Sequence, residues 1–200
     1  MREESYVRDK LIATAKAEFL RCGYQKASLR TIAQAAGVST GSVYFFFGSK
    51  EELFHAVVDG AAAKLRRLMI EGAQGEYDGT VSGEDNDRAF IECLHAHPEE
   101  SVILLEKAAD SPMAGFRGEI VSLLEQGFLR FFYRAGGTEV DAPLINLLVE
   151  QRVHAMLTLI ARRYDMDTTM KYAVLIGAYG DAGFSGMMQQ YHQMQKGSAG

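Results

Sequence analysis

One stretch of 25 residues, Ser28 to Glu52 (SLRTIAQAAGVSTGSVYFFFGSKEE), leaves this chain little choice of local fold. Ser28 stands where a helix N-cap is wanted, and Ile32, Ala33 and Ala36 follow as one apolar stripe at helical spacing. Gly37 ends that helix, because a residue without Cβ takes the left-handed backbone that helix C-termini use. Val38 plugs the turn and Ser39 caps the next helix, in which Val43 lies ten positions beyond Ala33. Two small side chains therefore meet where the helices cross. This is the pattern of a helix-turn-helix, a motif whose second helix suits the major groove of DNA.

The end of the stretch adds a third signal. Ser49-Lys50-Glu51-Glu52 has the form of a capping box and opens another helix at once. With SLRTIAQAA and an amphipathic helix ahead of it, GVSTGSVYFFFGSKEELF resembles the N-terminal domain of the TetR family of bacterial transcriptional repressors, over residues 7–58. Beyond that, the likeness is one of length and helical layout. It implies an all-α chain, with a three-helix helix-turn-helix domain over residues 1–58 and a helical ligand-binding and dimerisation bundle over residues 59–200.

Overall charge is −5, which taken alone disfavours a nucleic-acid partner. Its placement reverses that conclusion: residues 1–70 hold 11 Lys/Arg against 7 Asp/Glu, and residues 71–200 hold 10 against 19. A basic head on an acidic body suits a protein that meets DNA with one end. Cys22 and Cys93 are too few for a disulfide framework, and neither a signal peptide nor an apolar run of membrane-spanning length stands out. These points predict a cytoplasmic chain with reduced thiols and no membrane partner.

Taken in order, residues 1–6 are expected to fray, and Val7, Leu11, Ala15 and Phe19 mark an amphipathic helix that Cys22-Gly23 stops. Leu53 to about Met69 forms the next helix, with Lys64, Arg66 and Arg67 on a solvated face near its end. Residues 72–87, with four glycines among acidic side chains, have the composition of a linker. Helices are then expected from Asp87 to His97, Pro98 to Ser111, Phe116 to Ala135, Ala142 to Tyr164 and Thr168 to Gln193. The fourth of these, Ala142–Tyr164, is apolar on more than one face, and the fifth carries closely spaced glycines. By resemblance, those two make a homodimer interface.

For DNA, the recognition helix should present Thr40, Gly41, Tyr44 and Phe45 outward while Val43 and Phe47 point in. The resemblance places Ser28, Thr31, Tyr44 and Lys50 at phosphates, and Arg30, Ser39 and Ser42 complete the candidate surface on a pseudo-palindromic double-stranded operator. Phe45 and Phe46 depart from the family, which commonly has a tyrosine or histidine there. For an effector, Phe90, Leu94, Phe116, Phe128, Phe132 and Met156 offer an apolar enclosure, with His95 or His154 as a polar handle. Such a lining suits a small apolar or aromatic ligand. Cys93, His95 and His97 resemble metal ligands by type, but His95 points away from the other two on a helix, so no metal is expected. No catalytic motif and no cofactor signature is present, and the expected activity is ligand-controlled transcriptional regulation rather than catalysis.

Overall fold

The computed structural model describes residues 2–134 and 141–197, and every described element is helical. The elements are α1 (Arg2–Lys26), α2 (Leu29–Ala36), α3 (Thr40–Phe47), α4 (Lys50–Asp78), α5 (Gly83–Ala96), α6 (Pro98–Val102), α7 (Phe116–Arg134), α8 (Ala142–Ala161) and α9 (Met166–Gly197). A π-helical turn, Ile103–Lys107, follows α6 directly. The chain divides into two compact units, Met1–Ala161 and Arg162–Gly200. The expected boundary at residue 58 falls inside α4.

The head is built on three inward stripes. Leu11, Ala15 and Phe19 of α1 meet Ile32, Ala33 and Ala36 of α2, Val43 and Phe47 of α3, and Leu53, Phe54 and Val58 of α4, all buried. Phe54 sits edge-on to Phe19 at 5.0 Å and to Tyr24 at 4.9 Å, so an aromatic trio fixes α4 against α1. Further along the same unit, α4 supplies Leu65 and Met69, α5 Leu94, α7 Ile120, and α8 Val153 and Leu157 to the interior.

Several expectations are corrected. Residues 2–6 are helical rather than frayed, with Glu3 and Glu4 at the positive end of the α1 dipole. Gly23 breaks the helix as anticipated, at φ 78°, but helical backbone resumes to Lys26. A Cβ at Gly23 would also stand 3.3 Å from the Lys107 carbonyl oxygen, so the break lies against the π turn. The linker expected over residues 72–87 is instead the last turns of α4, a turn, and the start of α5. Its glycines provide close approach: a Cβ at Gly72 would lie 1.9 Å from Asn86 and one at Gly75 would lie 2.6 Å from Val81.

The helix expected from Pro98 to Ser111 becomes α6 and the π turn, whose Leu105 carbonyl accepts from Arg117 of α7 at 2.7 Å. The predicted stop at Gly136-Gly137 lies outside the described residues. So does the end of the KGSAG tail, although α9 itself reaches Gly197.

Charged side chains tie the body together. Arg66, expected on a solvated face, grips Glu119 of α7 through Nε and Nη2 at 2.5 and 2.7 Å and lies over the Phe116 ring. α4 runs past it to Asp78, so this basic group is mid-helix and not at a C-terminus. Arg117 pairs with Glu150, and Arg152 with Asp87. α8, contrary to the sequence reading, is long and apolar enough to cross a membrane by composition alone. Its Ile145, Val149, Val153, Met156, Leu157 and Ile160 are buried, and it packs on α7, α6 and α5, which accounts for its apolarity as core.

One buried carboxylate has a measurable consequence. Glu18 accepts from Nε and Nη2 of Arg21, both at 2.9 Å. The guanidinium first, with the nearby Ser28 backbone amide in support, holds its carboxyl below the ordinary value of 4.5. A depressed folded-state value means that unfolding takes up a proton in acid. The contribution is therefore complete above the ordinary glutamate range and is lost as pH falls through the depressed value. Glu18→Gln should cost about 1 kcal/mol at neutral pH and flatten the acid limb of the stability profile. Urea titrations across pH check this; an unchanged acid limb would exclude Glu18.

Candidate nucleic-acid interface

The interface is assembled from the first turns of α2 and the outer face of α3. Ser39 caps α3 with its side chain, its Oγ accepting the Ser42 N–H at 3.1 Å and sharing a hydrogen with Ser42 Oγ at 3.0 Å. The chain leaves α2 through Gly37 at φ 68°, where Val38 N–H returns to the Ala33 carbonyl. With Val43 and Phe47 locked inward, Gly41, Tyr44 and Phe45 must face solvent. Tyr44 is 55% and Phe45 76% exposed, so Phe45 is not core packing; its ring only meets Phe46 edge-on at 5.1 Å.

Ser28 occupies the N-cap position of α2, yet its side chain makes no capping bond. Ser28 is exposed, as are Arg30 and Thr31, at the positive end of α2. The capping box at Ser49 is half formed. Its Oγ accepts Glu52 N–H at 3.1 Å, but Ser49 N–H turns to the Phe47 carbonyl and the Glu52 carboxylate lies beside Gly48.

Lys50 is more constrained than its family role implies. Its Nζ donates to the Gln25 carbonyl at 3.3 Å and stands 4.4 Å over the Tyr24 ring, joining the start of α4 to the end of α1. Partial burial lowers its pKa. An ammonium short of water gains from a phosphate oxygen, so the two roles are compatible. Of the remaining predicted residues, Ser39 and Gly41 are exposed, and Thr40 and Ser42 are half-buried.

A family model described as bacterial regulatory proteins, tetR family, matches residues 11–57, which is the head just described. Residues 11–57 thus carry the segment shared by the TetR family. It is 28% identical over 75 residues to the transcriptional repressor BepR of Brucella suis, covering 38% of this chain and 36% of that protein. It is 33% identical over 64 residues to the repressor AcnR of Corynebacterium glutamicum, covering 32% and 34%. The chain therefore matches only about a third of the length of these relatives.

Solved structures extend the likeness to the fold. A TetR-like regulator from a Rhodococcus species superposes with a TM-score of 0.61 at 18% identity, covering 88% of this chain and 96% of that one. The TetR-family regulator PfmR of Thermus thermophilus gives 0.57 at 24%, covering 87% and 93%.

In the body of the chain the predicted effector residues fall in different environments. Phe90, Leu94, Phe116 and Met156 are buried, His95 and Phe128 are part-buried, and His154 is exposed. The side chain of Phe132 lies outside the described residues. His97 accepts, through Nε2, a hydrogen bond of 2.9 Å from the Lys64 ammonium, which needs that nitrogen unprotonated. Among the described residues no group of three His, Cys, Asp or Glu side chains is placed to hold a metal ion.

The thiol of Cys22 is half-buried and donates to the Glu18 carbonyl at 3.3 Å; burial raises its pKa and keeps it protonated. Sequence reasoning missed the Glu18–Arg21 pair, and it also missed an exposed stripe on α9, Tyr172, Leu175 and Tyr179. The i, i+3, i+7 spacing of that stripe was the available signal.

Proposed function

We propose that the chain is a sequence-specific DNA-binding transcriptional regulator, a homodimeric repressor released from its operator by a small molecule. Residues 1–58 read DNA and residues 59–200 bind effector and dimerise. The observation that carries this is the outer face of α3: Gly41, Tyr44 and Phe45 are turned to solvent by a buried Val43 and Phe47, beside the exposed hydroxyls at the start of α2. A free protein gains nothing from that apolar exposure, whereas a major groove does. The repressor names of BepR and AcnR point the same way. The reading implies action in the cytoplasm, where the DNA is.

Selection from random duplexes should enrich a pseudo-palindrome whose affinity falls steeply with salt, since phosphate contacts release counterions. Recovery of no sequence, or binding indifferent to salt, overturns the reading. Effector contacts are proposed at Phe90, Leu94, His95, Phe116, Phe128, Phe132, His154 and Met156.

Phe45 gives a finer test. Its ring makes no hydrogen bond, but packs against a thymine methyl in the groove. Replacing that thymine by uracil should cost about 1 kcal/mol, the value of burying one methyl-sized group. The difference should vanish in Phe45→Ala; equal binding of both duplexes by the native protein would show that Phe45 reads nothing.

Dimerisation is assigned to α8 and α9. Leu147 of α8 is exposed, and Tyr172, Leu175 and Tyr179 line one face of α9. Unpartnered apolar faces of this kind mark interaction surfaces. Leu175→Glu should shift sedimentation from dimer towards monomer and weaken operator binding with it. A stable dimer in that variant would place the interface elsewhere.

A further inference from the structure

Lys50 opens α4, where the helix dipole disfavours a cation, so its charge does nothing for the helix that carries it. Elsewhere in the chain, buttressing cations hold carboxylates. Lys16 reaches Glu99 and Glu100 at 3.1 and 3.0 Å, and Arg66 grips Glu119. The Lys50 ammonium is held differently, by the Gln25 carbonyl at 3.3 Å and by the Tyr24 ring, whose centroid lies 4.4 Å away. Both of these groups are uncharged. They fix the ammonium in place without neutralising it.

The ring that does this is itself fixed. Tyr24 follows the Gly23 break in α1, is met edge-on by Phe54 at 4.9 Å, and stacks on Phe19 at 6.0 Å. A lysine carries its charge on a flexible stem, and freezing such a stem at a partner ordinarily subtracts from affinity. Here the stem is ordered before any partner arrives. An aromatic face attracts the ammonium through its quadrupole, and the Gln25 carbonyl takes only one of its three N–H donors. The others stay available to a phosphate oxygen, so the ammonium need not leave the ring to bind one. A leucine in place of Tyr24 would still pack on Phe19 and Phe54, but would attract no cation.

We propose that Tyr24 is a positioning residue for DNA binding: its ring holds the Lys50 ammonium, in the free protein, where a phosphate of the operator meets it. This rests on the reading of residues 1–58 as a DNA-reading head, and it gives Tyr24 a part in that head beyond packing.

The test has two arms, both on the full-length protein. The first needs no DNA. With lysine carrying carbon-13 at Cε, the methylene protons next to an ammonium that sits over a ring are shifted upfield, and the signal lost in Lys50→Ala identifies Lys50. It should stand apart from the other lysines, return to the common position in Tyr24→Leu and stay shifted in Tyr24→Phe. An unshifted Lys50 signal in the native protein overturns the proposal, whether or not DNA binds.

The second arm measures affinity for the selected duplex. Tyr24→Leu should weaken binding about three- to tenfold, the range expected from losing a cation–π contact and the order it imposes, while Tyr24→Phe stays within about twofold. In a Lys50→Ala background, Tyr24→Leu should weaken binding no further. The salt slope should be native in Tyr24→Leu, because the charge still reaches the phosphate, and flatter by about one in Lys50→Ala. An equal loss from Tyr24→Leu in both backgrounds, as a poorly folded head would give, marks Tyr24 as packing alone and overturns the proposal. So does an equal loss in Tyr24→Phe. Recovery of no duplex despite a shifted Lys50 signal overturns the reading of the head and the proposal with it. A duplex bound equally well by Lys50→Ala and by the native protein overturns the proposal alone.

Discussion

Gly41→Leu should weaken operator binding by at least about 100-fold, or roughly 2.7 kcal/mol, while leaving the unfolding midpoint unchanged or slightly raised. Nothing in the free protein needs glycine there. Gly41 is exposed, its backbone is helical, and a Cβ would come no nearer than 3.5 Å to Ser39 Oγ, an ordinary contact. Helix propensity alone favours a side chain at this position by up to about 1 kcal/mol. The glycine therefore costs the head stability, and the compensating benefit lies in letting the α3 backbone approach the duplex. A leucine would hold the two rigid surfaces apart across the whole contact. Fluorescence anisotropy on the selected duplex and calorimetric unfolding of the same sample check the two halves of the expectation. Native-like affinity in the variant would remove the start of α3 from the groove.

The largest stability effect is expected at Phe54. Its ring is fully buried between Phe19 and Tyr24 of α1, each met edge-on within 5.0 Å. Phe54→Ala removes the largest side chain joining α4 to α1 and opens a cavity that these rigid rings cannot collapse to fill. A loss of about 3–5 kcal/mol follows, most of what holds an ordinary domain folded. Operator binding should disappear with it near physiological temperature and return on cooling to where the variant is folded. Denaturant titration measures the first effect; a loss within about 1 kcal/mol would mean that the cluster repacks.

The head was legible because its signals are local and agree with one another. The Ile32–Ala33–Ala36 stripe, the Gly37 turn and the Ser39 cap each depend on neighbours within four residues, and each is present as expected. What escaped the sequence depends on partners far along the chain. Ser28 has the right chemistry for a cap, but its side chain makes no capping bond. The helix after Pro98 passes into a π turn, whose Leu105 carbonyl accepts from Arg117 twelve residues further on. Composition cannot separate glycines that permit contact from glycines that permit motion, so Gly72 and Gly75 resembled a linker while lying against Asn86 and Val81. Among the candidate residues, the outward set on α3 follows from helical periodicity.

α4 runs for 29 residues, Lys50 to Asp78. At about 1.5 Å of rise per residue it is a rod some 43 Å long, with α3 leading into one end and α5 and α7 packed against it. A rod of that length tilted by only about 5° displaces its tip by nearly 4 Å, a little more than the roughly 3.4 Å that separates successive base pairs. A shift of side-chain size in the body is thus enough to move the reading head out of register by a whole step of the DNA ladder, and the protein needs no hinge to do it.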